Sequence, residues 1–406
     1  MSTESRVLSL LGRNLKLDTR LDIEPYLKQI DVDTTEEIHL SGNTIGVEAA
    51  EALGEVLKTM KTLKVANFSD IFTGRLIDEI PLALTALCNG LKDIATLQEL
   101  NLNDNAFGGR SVHPLVPLLV HNCSIRVLKL DNNGLGPAGG KVVADALLES
   151  AKLSQAAGMP SNLRVVICGR NRLEDGSATA WAAAFAAHGN LTKVRMVQNG
   201  IREAGFTALV RGLAKCSSLR YLNLRDNLGR NIEEDDDPTE DDGIEHGWHA
   251  LADALSEWKD LRYLDVSDCS VYPPGFQLLM GALESGIHTK LHTLMFDNND
   301  LDAAVYQRLH DVVKRHLPSV KRLSLLWNED LDDATLSTLG NVIEDRGGQL
   351  ILDEEDEEEG DERELEDEKD VVADHAVGGK DKAAEKKVDE TDAELESALA
   401  GLTISS

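Results

Sequence analysis

Few residues in this chain have the types and spacings that could do chemistry by themselves. Glu245, His246 and His249 set two imidazoles at i and i+3 beside a carboxylate, a spacing from which one helix face could hold a metal ion. No third ligand accompanies them, and a solvated helix start beside an acidic loop is the simpler reading. Gly134-Leu135-Gly136-Pro137-Ala138-Gly139 spells G-x-G-x-x-G, which between a strand and a helix could bring backbone amides against a pyrophosphate. Gly136 recurs, however, as Gly46 and Gly108 in matching stretches, so these glycines belong to a repeat. Gly140-Lys141 is followed by Val142, where a phosphate-binding loop needs Ser or Thr to hold magnesium. Neither G-x-S-x-G nor H-E-x-x-H occurs. The expectation is a protein with no metal site or cofactor of its own. What remains is polar rather than reactive: the paired amides Asn132 and Asn133, and Arg75.

Those residues are positioned by a repeat. Residues 127–136, VLKLDNNGLG, read as a short strand, a tight turn and the entry to a helix, and the pattern returns as LSGNTIG (40–46), LNLNDNAFG (100–108), VICGRNRL (166–173), VRMVQNGI (194–201) and LNLRDN (222–227). Each matches L-x-x-L-x-L-x-x-N, the leucine-rich repeat signature. Turn positions fall at Asn43, Ile71, Asn105, Asn133, Asn171, Asn199, Asn227, Cys269, Asn299 and Asn328, with a recurrent step of 28 to 30 residues. A step of that length leaves room for a full helix between strands. After Asn43, Ala49, Leu53, Val56, Leu57 and Met60 supply one apolar helical stripe. Strands stack about 4.8 Å apart while helices need about 8–10 Å, so a parallel sheet must line the concave side. The predicted fold is an α/β leucine-rich-repeat solenoid, with helices on the convex face. A lone strand within residues 11–19 is expected to cap its first repeat.

Longer steps mark insertions at residues 149–162 and at 229–243, the second an acidic, aromatic-free loop. Beyond Gly347 the pattern stops, which divides the chain into a repeat domain, 1–350, and an acidic tail, 351–406, expected to be mostly disordered. The formal charge is −30, and residues 353–406 hold 22 acidic and 6 basic residues, net −16. Such a balance excludes the basic footprint on which nucleic-acid binding rests. Five cysteines without a C-x-x-C pair suit reduced thiols in a cytosolic or nuclear compartment, and Cys168 and Cys269 fall inside the repeat as packing residues. With neither a signal-peptide pattern nor an apolar run of about 18 residues, a soluble, unsecreted protein is expected.

Within the repeat the two amides differ. Asn133 and its equivalents can satisfy backbone groups of the turn that would otherwise be buried unpaired. The place of Asn132 is filled elsewhere by Gly42, Asp104, Arg170, Gln198, Asp226 and Asp268, so the repeat does not demand asparagine there. Asn132 is either a solvated turn amide or a group on the rim of the sheet that addresses a partner. Arg75 lies in FSDIFTGR (68–75), where Ile71 replaces the turn asparagine and the step to the next repeat grows to 34. Extra loop carrying an arginine on the rim suggests a contact surface.

FSDIFTGR followed by DEIP (68–81), ICGRNRLE (167–174), LSGNTIG, LNDNAFG (102–108), NNGLGP (132–137), MVQNGI (196–201) and the acidic tail together resemble the GTPase-activating proteins of the small GTPase Ran. The resemblance covers residues 11 to about 370 and is nearest to the shorter, fungal-type members. It implies binding to Ran in its GTP-bound form, with or without a Ran-binding protein, while GTP and magnesium stay with the GTPase; the chain is expected to be a monomer. It further implies that Asn132 is the catalytic residue, pressing on the GTPase's own glutamine without an arginine finger, and that Arg75 chiefly docks Ran. Asp70, Arg170, Arg172 and Asp226 share the rim as further partner-binding candidates. The expected location is the cytoplasm, with Leu395, Leu399, Leu402 and Ile404 spaced like a nuclear export signal. The competing expectation is a non-catalytic leucine-rich scaffold or inhibitor.

Overall fold

Alternation along very short strands sets the architecture. In each triplet the middle residue, such as Leu128 or Val166, points into the core, while its neighbours face the other way, so that Val127, Val165 and Ile167 form a small apolar cluster of their own. The computed structural model describes residues 6–227, 247–299, 301–328 and 333–353. In chain order the strands are β1 (Val7–Ser9), β2 (Lys16–Leu17), β3 (Glu37–His39), β4 (Thr44–Ile45), β5 (Val65–Asn67), β6 (Glu99–Asn101), β7 (Val127–Lys129), β8 (Val165–Ile167), β9 (Lys193–Arg195), β10 (Tyr221–Asn223), β11 (Tyr263–Asp265), β12 (Thr293–Met295), β13 (Arg322–Ser324) and β14 (Gln349–Ile351). All but β2 and β4 pair in parallel with their sequence neighbours in one sheet, whereas β2 and β4 pair apart from it. The register is uniform: Leu100 lies opposite Leu128, and Leu128 opposite Val166.

A helix returns the chain between most strands. The helices bearing on the site are α1 (Arg20–Leu27), α2 (Val47–Leu57), α3 (Ile80–Leu91), α4 (Leu115–His121), α5 (Gly136–Ala156) and α6 (Glu174–His188). On α2 the buried face is Ala49, Ala50, Ala52, Leu53, Gly54 and Leu57. Small residues there let neighbouring helices close up: a Cβ on Gly54 would stand 2.5 Å from the Ala86 carbonyl oxygen of α3. The glycines before α2 and at the start of α5 serve different ends. Gly136 takes φ 63°, open to glycine at little cost, whereas Gly46 is extended and a Cβ there would meet the Asp18 oxygen at 2.8 Å.

Two ends of the repeat differ from the sequence expectation. Within 11–19 only the two-residue β2 forms, and the strand that opens the main sheet, β1, lies before it. Leu8 and Leu10 are buried and β1 pairs with β3, so residues 7–17 form a shortened repeat in which Arg13 holds the asparagine's place. At the other end β14 continues the sheet past Gly347, with Leu325 N donating to Ile351 O at 3.0 Å, so the repeat runs across the expected boundary at 350. The first insertion lengthens α5 to 21 residues. The acidic loop at 229–243, with Glu245 and His246, and the tail beyond Asp353 lie outside the described residues, as do the export-like leucines.

Candidate functional site

The rim is built on a ladder of buried amides. Asn133 Nδ2 donates to Leu130 O at 2.9 Å within its own turn and to Leu102 O at 3.0 Å in the preceding one, while its Oδ1 accepts from Asn105 N at 3.0 Å. Asn171 Oδ1 accepts from Asn133 N at 3.0 Å, and Asn199 Oδ1 from Asn171 N at 3.0 Å. The side chain is thus a rigid bridge that satisfies strand-end groups out of reach of water. The sequence reading of these asparagines as structural holds throughout the described repeats. Where the amide is replaced, Cys269 Sγ approaches Leu224 O at 3.3 Å, and Ile71 packs fully buried.

Directly before each ladder residue the backbone turns left-handed. Gly42, Asp70, Asp104, Asn132, Arg170, Gln198, Asp226, Asp268, Asn298 and Trp327 all have φ between 46° and 74°. That geometry favours Gly, Asn and Asp, which fill seven of the ten places, so the backbone does constrain the position of Asn132 more than its varied occupants suggest. The same turn pushes these side chains outward. Asn132, Asp104, Arg170 and Asp226 are exposed, while Asp70 is half-buried and accepts from Thr73 Oγ1 at 2.6 Å.

Asn132 is joined to the neighbouring turn. Its Nδ2 donates to Asp104 Oδ1 at 3.0 Å, and its Oδ1 has no hydrogen-bond partner among the described residues. Beneath it, Asp131 accepts from Gly169 N with one oxygen and from Arg195 Nη1 with the other, and Asn103 Oδ1 accepts from Asp131 N at 2.8 Å. These bonds tie three consecutive turns together. Burial and the nearby Asp131 carboxylate push the Cys168 thiol well above its ordinary range, which keeps it an inert packing group.

Arg75 lies otherwise than a free rim arginine would. Its side chain is 9% exposed, and its Nη1 meets Asp18 Oδ1 at 2.5 Å, its Nε Thr44 Oγ1 at 2.8 Å and its Nη2 Thr44 O at 3.0 Å. The guanidinium bonds, followed by Lys16, hold the Asp18 carboxyl below its usual range. The arginine therefore clips its loop to β2 and β4. Beside it opens a cleft of about 550 Å³ lined by Lys16, Asp18, Glu48, Arg75, Leu76 and Glu79. Leu76 and Ile77, at 69% and 57%, are among the most exposed apolar residues described.

Known proteins place this geometry in context. A family model described as Leucine Rich repeat matches residues 36–54, 94–115 and 121–144. Ran GTPase-activating protein 1 of Saccharomyces cerevisiae is 35% identical over 353 residues, 84% of this chain and 83% of that protein. The chain belongs to the Ran GTPase-activating protein family. Ran GTPase-activating protein 1 of Xenopus laevis is 47% identical over 198 residues, 48% of this chain and 34% of that protein. Ribonuclease inhibitor of Sus scrofa is 27% identical over 167 residues, 41% of this chain and 33% of that protein.

Seen along the sheet of this family member, the sequence-predicted residues do not form one cluster. Asp70, Asn132 and Arg170 sit on the turns after β5, β7 and β8, with Asp104 between the first two. Arg172 is exposed two residues beyond Arg170, and neither guanidinium has a partner among the described residues. Asp226 stands two turns past Arg170, beyond Gln198. His249 is exposed on its helix, and among the described residues no group of His, Cys, Asp and Glu gathers at metal-holding distances. Sequence reasoning missed the partnership of Asp104 with Asn132, the Asp131–Arg195 pair and the exposed Leu76 and Ile77. The last had a signal, two adjacent large apolar residues in a loop, and Asp104 and Asn132 hold the same place one 28-residue step apart; the Asp131–Arg195 pair, 64 residues apart, had none.

Proposed function

We propose that the chain binds Ran in its GTP-bound form and stimulates GTP hydrolysis by holding the GTPase's own glutamine in place, with Asn132 as the catalytic residue and no arginine finger. The observation that carries the reading is the Asn132 carboxamide, set on an exposed rim by a rigid turn, with an oxygen that has no protein partner among the described residues. Catalysis of phosphoryl transfer is mostly positioning and charge stabilisation, and a glutamine that orients the attacking water gains rate when its wandering is limited. An amide can do this by one hydrogen bond without bringing charge. Arg75 is poorly placed for a finger, being engaged with Asp18 and Thr44, and supports docking through the shape of its loop, with Leu76 and Ile77 as apolar contacts. Arg170 and Arg172 supply free positive charge on the same rim. The nucleotide and its magnesium belong to the partner, whose active centre the protein completes as a monomer, with or without a Ran-binding protein. The proposed location is the cytoplasm, with export through Leu395, Leu399, Leu402 and Ile404.

A second reading is an arginine finger after all, favoured by the unpaired guanidiniums of Arg170 and Arg172. Single-turnover hydrolysis at saturating protein separates the two. Asn132→Gly, which suits the left-handed turn, should lower the saturating rate by at least about a hundredfold while leaving half-saturation within a few-fold. An unchanged saturating rate with weakened affinity refutes the catalytic role. A collapse of the rate on Arg170→Ala or Arg172→Ala, with Asn132→Gly mild, would establish the finger.

A further inference from the structure

The Asn132 amide is held from one side only. Its Nδ2 reaches across to Asp104 Oδ1 at 3.0 Å, and its own Oδ1 meets nothing among the described residues. A carboxylate accepts hydrogen bonds and does not donate them, so the pair admits one orientation of the carboxamide: NH2 toward Asp104, carbonyl oxygen away from it. Without that partner the terminal torsion of asparagine is broad and nearly two-fold. We propose that Asp104 is a positioning residue, fixing the Asn132 carboxamide so that its oxygen faces the bound GTPase. The group it meets must then be a hydrogen-bond donor, such as the NH2 of a glutamine side chain. This rests on the catalytic reading of Asn132 and deepens it.

The surroundings favour that role over an incidental contact. Both turns are fixed from below, Asp104 N donating to Asp131 O at 2.9 Å and Asn132 N to Gly169 O at 3.0 Å. Asp104 has no other side-chain partner among the described residues, so its carboxylate serves Asn132 alone. The arrangement recurs further along the rim, where Asn298 Nδ2 donates to Asp268 Oδ1 at 2.6 Å, but there the carboxylate is shared with Arg225 Nε at 2.9 Å. Asp268 is thus a built-in control with the same local geometry.

The test is single-turnover GTP hydrolysis on Ran-GTP, titrated with the full chain. Asp104→Gly keeps the left-handed turn and deletes the carboxylate; Asp104→Asn keeps an acceptor oxygen. Asp104→Gly should lower the saturating rate roughly tenfold with half-saturation within about twofold, and Asp104→Asn should recover most of the rate. In an Asn132→Gly background, Asp104→Gly should change nothing further, because a residue acting through Asn132 has nothing left to act on. Asp268→Gly should leave both parameters as they are. Multiplying effects in the double variant, a raised half-saturation at unchanged rate, or an equal loss on Asp268→Gly would each overturn the proposal. If Asn132→Gly lowers the rate and Asp104→Gly does not, this inference alone falls. If Asn132→Gly itself leaves the rate intact, the catalytic reading falls and takes this one with it.

Discussion

Arg75 is fastened within its own chain rather than offered freely on the rim. Its donors are taken by Asp18, Thr44 and Leu17, which fasten the FTGR loop to β2 and β4 and leave Leu76 and Ile77 exposed. If its part is to hold the loop, removing either end of the clip should have one effect. Arg75→Ala and Asp18→Ala are each expected to raise the Ran-GTP concentration at half-maximal rate by about fivefold without lowering the saturating rate. A defect confined to Arg75→Ala would mean that the guanidinium leaves its clip and contacts Ran directly. At Asn132 the backbone sets a separate demand. With φ at 55°, Asn132→Ala should also lose roughly 1 kcal/mol of stability, read as a lowered melting temperature that Asn132→Gly does not show. Equal melting temperatures would contradict the strain argument.

Between turns, the ladder makes the rim a single element. Asn133→Ala would leave Leu102 O, Leu130 O and Asn105 N without their amide partner, and buried groups left unpaired cost about 1–3 kcal/mol each. Urea denaturation should show a loss of at least about 2 kcal/mol; a neutral substitution would mean that the ladder is not holding the turns. In β11 the sheet carries a different tension. Burial pushes the Asp265 carboxyl up from 3.8 to about 7, opposed by bonds from Ser267. A raised folded-state value means that the folded protein keeps a proton which the unfolded chain gives up above pH 3.8, so stability from this group is lost as pH rises toward 7. Asp265→Asn should therefore flatten the fall in stability between about pH 4 and 7. An unchanged pH profile would reject the buried, protonated carboxyl.

At the scale of the whole molecule, charge rather than contact governs the approach of a partner. The tail from 353 to 406 carries net −16, and a Ran surface of opposite sign would meet it faster at low salt. Deleting residues 354–406 should slow association more at low than at high ionic strength; an unaltered salt dependence would reject this. How far the molecule was legible follows from how its information is written. The strands and the amide ladder were legible because most repeats spell them within nine residues. The first strand was displaced in the reading because Arg13 stands where the asparagine should be, and the last was hidden by the carboxylates that follow it. Arg75 with Asp18 was not legible as a pair, since the two are 57 positions apart and outside the repeat pattern, whereas Asn132 and Asp104 are one 28-residue step apart and only the hydrogen bond between them had to come from the structure. Family resemblance suggested the role proposed for Asn132; the ladder and the left-handed turn supply a physical means of holding it on the rim.

Phosphate release from Ran-GTP, followed in a single turnover with and without the purified chain, tests the central claim most directly. The account predicts acceleration by about 10³-fold or more at saturating protein, reduced to near the intrinsic rate by Asn132→Gly. A rate unchanged by the wild-type protein would contradict it.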